Sequence, residues 1–163
     1  MPNTRAVSAS VVGGLIGSIV MGLVSYAIPV AGAPFFITFT QKIGVPAAPI
    51  SGWILHLVAG VILGAIFGVF TSSASPLRLD RTYRGAAIGV IAGALIYAIF
   101  FMPMLAGLVL LSSTVPAVVG GLFLLHLLFG LIMGIVGTVL WRQQETSKVR
   151  KAPAESISAP GRS

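Results

Sequence analysis

No charged residue occurs from Ala6 to Gln41, from Ile43 to Leu77, or from Gly85 to Trp141. Each run exceeds the roughly 20 apolar residues that cross a bilayer core, and the last is long enough for two crossings. Within hydrocarbon the backbone must satisfy its own hydrogen bonds, so uncharged runs of this length read as helices. Only 8% of the residues are Asp, Glu, Lys or Arg, against about a quarter in a soluble domain. The expected fold is all-α: a four-helix transmembrane bundle in residues 1–141, then a polar, disordered cytoplasmic tail over 142–163.

The helices are expected at about 7–30, 50–70, 85–111 and 117–141. Between the first two, Pro34, Pro46 and Pro49 interrupt regular helix. Phe35, Phe36 and Phe39 make that connector apolar enough to lie in the membrane interface, and Trp53 suits the same belt. Ala31-Gly32-Ala33 resembles a cleavage site, but the apolar run before it is longer than the roughly 7–15 residues of a secretory core, so the first helix is expected to be retained. Pro103 should kink the third helix. Beyond Gln143 apolar periodicity stops, which predicts disorder.

Two stretches repeat. Leu55-His56-Leu57 with Gly60, Ile62, Gly64 and Ile66 returns as Leu125-His126-Leu127 with Gly130, Ile132, Gly134 and Val136. Arg5, Gly13 and Gly17 line up more weakly with Arg81, Gly89 and Gly93. The chain thus reads as a tandem repeat of a helical hairpin. Each hairpin crosses twice, so the repeat is parallel, with a pseudo-two-fold axis along the membrane normal.

Arg5, Arg78, Arg81, Arg84, Arg142, Lys148, Arg150, Lys151 and Arg162 fall on one side of these crossings, and Lys42 on the other. Positive residues stay cytoplasmic, so both termini are expected inside, in the plasma membrane. The formal charge of +7 is explained by topology and anionic lipid, and no nucleic-acid partner is expected. The chain has no cysteine, which excludes disulfides and thiolate metal sites.

Residues four apart share a helix face. Small residues recur at that interval as Gly14, Ser18 and Gly22; as Gly60, Gly64 and Gly68 after His56; as Gly85, Gly89 and Gly93; and as Gly130, Gly134 and Thr138 after His126. In lipid, such stripes let backbones approach and drive helix packing. They should face one another, turning His56 and His126 into the bundle. Self-association is the competing use of the same faces.

Asp80, Glu145 and Glu155 are the only acids, and all lie outside the expected helices. That argues against a buried-acid antiporter, an aspartyl protease and a carboxylate-bridged metal centre. No catalytic residues and no metal site are assigned, and no enzyme is expected. The two histidines leave three readings open. They can be neutral imidazoles bonded to a backbone carbonyl, a serine or a headgroup; a ligand pair for haem b or a metal ion, although two histidines alone leave zinc or copper under-coordinated; or polar elements of a permeation path, to which Tyr26 and Tyr97 could contribute.

Gly13-Gly14-Leu15-Ile16-Gly17, Arg84-Gly85-Ala86-Ala87-Ile88-Gly89 and His126-Leu127-Leu128-Phe129-Gly130 with Gly134 carry a resemblance across most of the chain. It resembles small uncharacterised four-helix integral membrane proteins of archaea and some bacteria. The resemblance implies a plasma-membrane protein and supplies no chemistry. The expected function is a non-enzymatic accessory or assembly component of a membrane complex. Its expected partners are the lipid bilayer and a membrane protein or further copies of itself. The alternatives are a small channel or transporter, and a haem b electron-transfer subunit.

Overall fold

The computed structural model describes residues 3–27, 29–30, 33–34, 40, 44, 46, 48–74, 77, 79–103 and 115–157. Among these, four helices are long and apolar enough to cross a membrane. They are α1 (Thr4–Ala27), α2 (Pro49–Ser73), α3 (Thr82–Ile96, extended by a π-helical turn over Tyr97–Phe101) and α4 (Val115–Ile157). Pro29–Val30 (β1) pairs antiparallel with Ala33–Pro34 (β2), a two-residue ladder just after α1. The aromatic anchor expected at Phe35, Phe36 and Phe39 lies outside the described residues, as does the third helix beyond Pro103.

Local chemistry sets the helix ends. Asn3 caps α1: its Oδ1 accepts the Arg5 N–H at 3.0 Å, and its carbonyl accepts the Val7 N–H at 3.1 Å. α2 begins at Pro49, whose missing N–H would have had no partner in a first turn. Ser51 Oγ ties that start back to the Pro46 carbonyl at 2.7 Å. Before α3, Asp80 and Arg84 form an exposed i,i+4 pair at 3.0 Å. The Arg84 guanidinium holds the Asp80 carboxyl below its ordinary range. Its small contribution is therefore present above the unfolded carboxylate value and is lost only as pH falls through the lower folded one.

Two departures from the sequence expectation have physical causes. The distortion expected from Pro103 takes the form of the π-turn, in which the Met102 N–H bonds the Tyr97 carbonyl. A wider turn relieves the clash of a proline ring with the carbonyl four residues earlier. The second concerns the tail: α4 runs on to Ile157 instead of giving way to disorder after Trp141. Gln143-Gln144-Glu145 are good helix formers, and extending an existing helix avoids the cost of nucleation.

α1 is the hub. It packs along both α2 and α4, and α4 packs also along α3, whereas α2 and α3 share little close backbone contact. On α1, Gly14 and Ser18 meet Gly60 of α2, and Gly68 meets Val7, so the pair is antiparallel. Gly13 meets Met133 and Gly137 of α4, and Gly17 meets Phe129, again antiparallel. α2 and α4 therefore run in the same sense. Gly85 meets Gly134 and Thr138, Gly89 meets Gly130, and Gly93 meets His126, closing α3 onto α4 antiparallel. Arg5, Arg81, Arg84 and Arg142 consequently gather at one end of the bundle.

The register is offset by one residue from the sequence alignment. Gly89 sits on Gly130 as Gly14 sits on Gly60, so the packing counterpart of Gly89 is Gly14 rather than Gly13. Gly13 and Gly17 serve the second seam, against α4. In this register their counterparts on α3 are Ile88 and Ala92. Ile88, Ala92 and, on α2, Leu63 instead pack on a buried cluster of Met21, Phe67, Leu79, Tyr97, Phe101, Leu122, Leu125, Phe129 and Met133. Ile88 thus stands where α1 has Gly13, and α2 and α3 share little close backbone contact.

A Cβ at Gly134 would collide with the Gly85 carbonyl, whereas one at Gly120 meets nothing within 4 Å. Gly134→Val is expected to lower stability by at least the ~1–3 kcal/mol of an overpacked core. Gly120→Ala should be neutral or stabilising by up to ~1 kcal/mol, the helix-propensity difference. Equilibrium unfolding in mixed micelles distinguishes the two.

Candidate functional site

The two histidines occupy corresponding places on parallel helices, one turn before the first glycine of a seam. Gly22 of α1 provides the room for His56: both the Trp53 ring and the His56 ring rest where a Cβ would stand. From there His56 Nε2 donates to the Ser18 carbonyl at 3.0 Å, a side-chain hydrogen bond crossing from α2 to α1. A carbonyl only accepts, so Nε2 carries the proton of the neutral ring and Nδ1 the lone pair.

His126 is deeper, with 6% of its surface exposed. Its Nδ1 donates to the Leu122 carbonyl of its own helix at 2.7 Å, which assigns the lone pair to Nε2. The ring lies against Tyr97 (centroids 5.2 Å apart) and Phe101 (4.9 Å). Both aromatics come from the π-turn, and they stack on each other at 5.7 Å. A π-turn carries more than 3.6 residues per turn and so brings positions four apart nearly into line. Tyr97 spends its hydroxyl on the Val119 carbonyl at 3.0 Å, a tie between α3 and α4. Tyr26, by contrast, is 48% exposed and stands apart from this arrangement.

Because α2 and α4 run in the same sense and carry their histidines one turn before matching seam glycines, the imidazoles of His56 and His126 lie at similar depth. Met21 belongs to the same depth. It lies four residues beyond Gly17 and next to Gly22, and it is 5% exposed. At about 100° per residue it points between the α2-facing direction of Gly14 and the α4-facing direction of Gly17, into the bundle. One layer thus receives Met21 from α1, His56 from α2, Tyr97 from α3 and His126 from α4. Sequence reasoning passed over Met21 and Phe101. The available signal was that Met21 continues the four-residue spacing of Gly13 and Gly17.

The seam positions named from the sequence fall on helix contacts. Gly14, Gly60, Gly64, Gly68, Gly85, Gly89, Gly93, Gly130 and Gly134 each hold opposing backbone where a side chain would be. Ser18 occupies that space opposite Gly60, and Thr138 opposite Gly85. Among the described residues, no three of His, Cys, Asp and Glu gather as a metal site.

Fold and site together define a multi-pass, four-helix membrane protein with a histidine-bearing interior layer. A family model described as a family of unknown function (DUF6789) matches residues 4–148. The chain belongs to that family. No curated protein and no solved structure matches it.

Tyr97→Phe removes the bond to Val119 while keeping the ring stacks. The expected loss is about 0.6 kcal/mol, the average for hydrogen bonds between membrane helices. His126→Ala removes a buried ring as well, and should cost about 2–5 kcal/mol as a large-to-small core substitution. Unfolding in mixed micelles measures both, and equal losses would contradict this description of the layer.

Proposed function

We propose that the chain is a non-enzymatic accessory or assembly component of a membrane complex. The supporting observation is the closure of three helix seams, α1–α2, α1–α4 and α3–α4, largely by opposing backbone. Such seams give a stiff scaffold. The histidines sit in a polar layer inside it, each bonded to a backbone carbonyl. Large apolar side chains cover the outside, among them Ile50, Ile54, Ile62, Phe70, Ile91, Ile99, Phe100 and Leu124. This is a surface suited to acyl chains and to neighbouring membrane helices alike.

On this reading the protein resides in the plasma membrane with Arg5, Arg81, Arg84 and Arg142 on the cytoplasmic side, so both termini face inward. The extension of α4 past Trp141 then projects into the cytoplasm. The equal sense of α2 and α4 and the matched seams support descent of the two hairpins from one duplicated hairpin.

The natural chain has no cysteine, so single introduced thiols report topology cleanly. Ala48→Cys is expected to label with an impermeant maleimide in intact cells, and Ser147→Cys only after permeabilisation. The reverse pattern would invert the orientation. Purification in mild detergent is expected to recover a stable membrane-protein partner in fixed ratio. Proteoliposomes of the pure chain should show no ion flux above empty vesicles. Flux abolished by His56→Ala or His126→Ala would replace the accessory reading with a channel.

A further inference from the structure

We propose that the arginine-bearing end of the bundle binds the headgroup phosphates of anionic phospholipids in the leaflet it faces. The inference goes beyond the accessory reading and holds for either orientation of the chain. As far as Arg142, every basic residue on this side of the crossings is arginine: Arg5, Arg78, Arg81, Arg84 and Arg142. The one lysine in that stretch, Lys42, belongs to the opposite connector. A topology signal needs only positive charge, which lysine supplies equally. Arginine adds a planar fork of donors that matches the oxygens of a phosphate.

The structure carries these cations on fixed elements and leaves most of them without an acid. Both carboxylate oxygens of Asp80 accept from one nitrogen of Arg84, at 3.0 and 3.1 Å. Among the described residues no other ion pair forms, so Arg5, Arg81 and Arg142 keep their charge unneutralised, even with Glu145 three residues past Arg142. Arg81 turns onto Tyr83: its Nη1 donates to the phenolic oxygen at 3.2 Å, and the guanidinium lies 6.0 Å from the ring centre. Tyr83 is 68% exposed, as suits an aromatic at the membrane interface, so this contact holds Arg81 at headgroup level. The Arg81 carbonyl accepts the Gly85 N–H at 3.0 Å, which anchors the residue to the first turn of α3. Thr138 and Gly85 meet across the α3–α4 seam. Arg142 lies one turn beyond the first and Arg81 one turn before the second, so the two stand at one level on adjacent helices. α4 stays helical past Arg142, which places that cation too on a rigid element. Cations already held in place lose little freedom on binding, and this favours captured headgroups over a diffuse cloud of counter-ions.

The test uses the full chain, stripped of lipid in detergent and titrated with mixed micelles of phosphatidylglycerol or phosphatidylcholine. After gel filtration, the phospholipid retained per chain is counted by mass spectrometry. Phosphatidylglycerol is expected to be retained in preference to phosphatidylcholine, and less so as salt is raised. Arg81→Gln and Arg142→Gln should each weaken its binding about fivefold, and together about 25-fold. Lys42→Gln should leave binding unchanged. The proposal is overturned if the wild-type chain retains both lipids alike, a result that depends on no variant's folding. It is equally overturned if the folded double variant holds phosphatidylglycerol like wild type. Displacement of the lipid by inorganic phosphate, beyond that by chloride at equal ionic strength, would also overturn it, because the arginines would then hold free anions instead of headgroups.

Discussion

Backbone meeting backbone across the glycine seams is the contact on which the rest of this structure rests. In lipid no hydrophobic force draws helices together, so association depends on dispersion at short range and on polar ties. Dispersion between a pair of atoms is only about 0.1–0.2 kcal/mol, and it fades within an ångström of optimal separation. Many pairs must therefore be brought close at once. Gly60 against Gly14, Gly89 against Gly130 and Gly134 against Gly85 achieve this by removing every atom that would keep two backbones apart. A single Cβ in any of these places would separate the helices over more than one turn.

The same constraint decides where the bundle is tight and where it is loose. α1 carries small residues in two directions: Gly14 and Ser18 toward α2, and Gly13 and Gly17 toward α4. It can therefore serve two close neighbours. α3 carries one such stripe, Gly85, Gly89 and Gly93, and spends it on α4. On the other flank, Ile88 and Ala92 pack on the central cluster. An exact two-fold arrangement would need a second small stripe there. The departure from symmetry is thus marked chiefly by Ile88, which stands where α1 has Gly13 and packs with Leu63 against the central cluster that contains Phe67.

Much of this was legible in the chain. Charge-free runs gave the helices because bilayer thickness fixes their length. Four-residue spacing gave the seams because helix geometry fixes which residues share a face. The one-residue register between α1 and α3 was not legible. Adjacent glycines at Gly13 and Gly14 fit either alignment, and only the opposing helix distinguishes them. The π-turn escaped for a related reason: Pro103 announces that a hydrogen bond is missing, but not which distortion absorbs the loss. The helical continuation of α4 was hidden by composition. A polar segment without periodicity reads as disorder until a rigid helix is found immediately before it.

The candidate site shows most clearly what spacing can and cannot deliver. Its histidines announced themselves by being the only two in the chain and by recurring in matched surroundings. Met21 did not, because one apolar residue among many carries no mark of its direction. Its direction follows only from knowing that α1 has two partners, since a residue points inward only relative to both. The layer is therefore a consequence of the seams. Gly22 admits the His56 ring, and Gly17 lets Phe129 and α4 approach α1. The Tyr97–Phe101 turn closes over His126 from the far side. Changing the small residues would move the large ones, so a stripe selected for packing also sets the geometry of whatever chemistry the histidines perform.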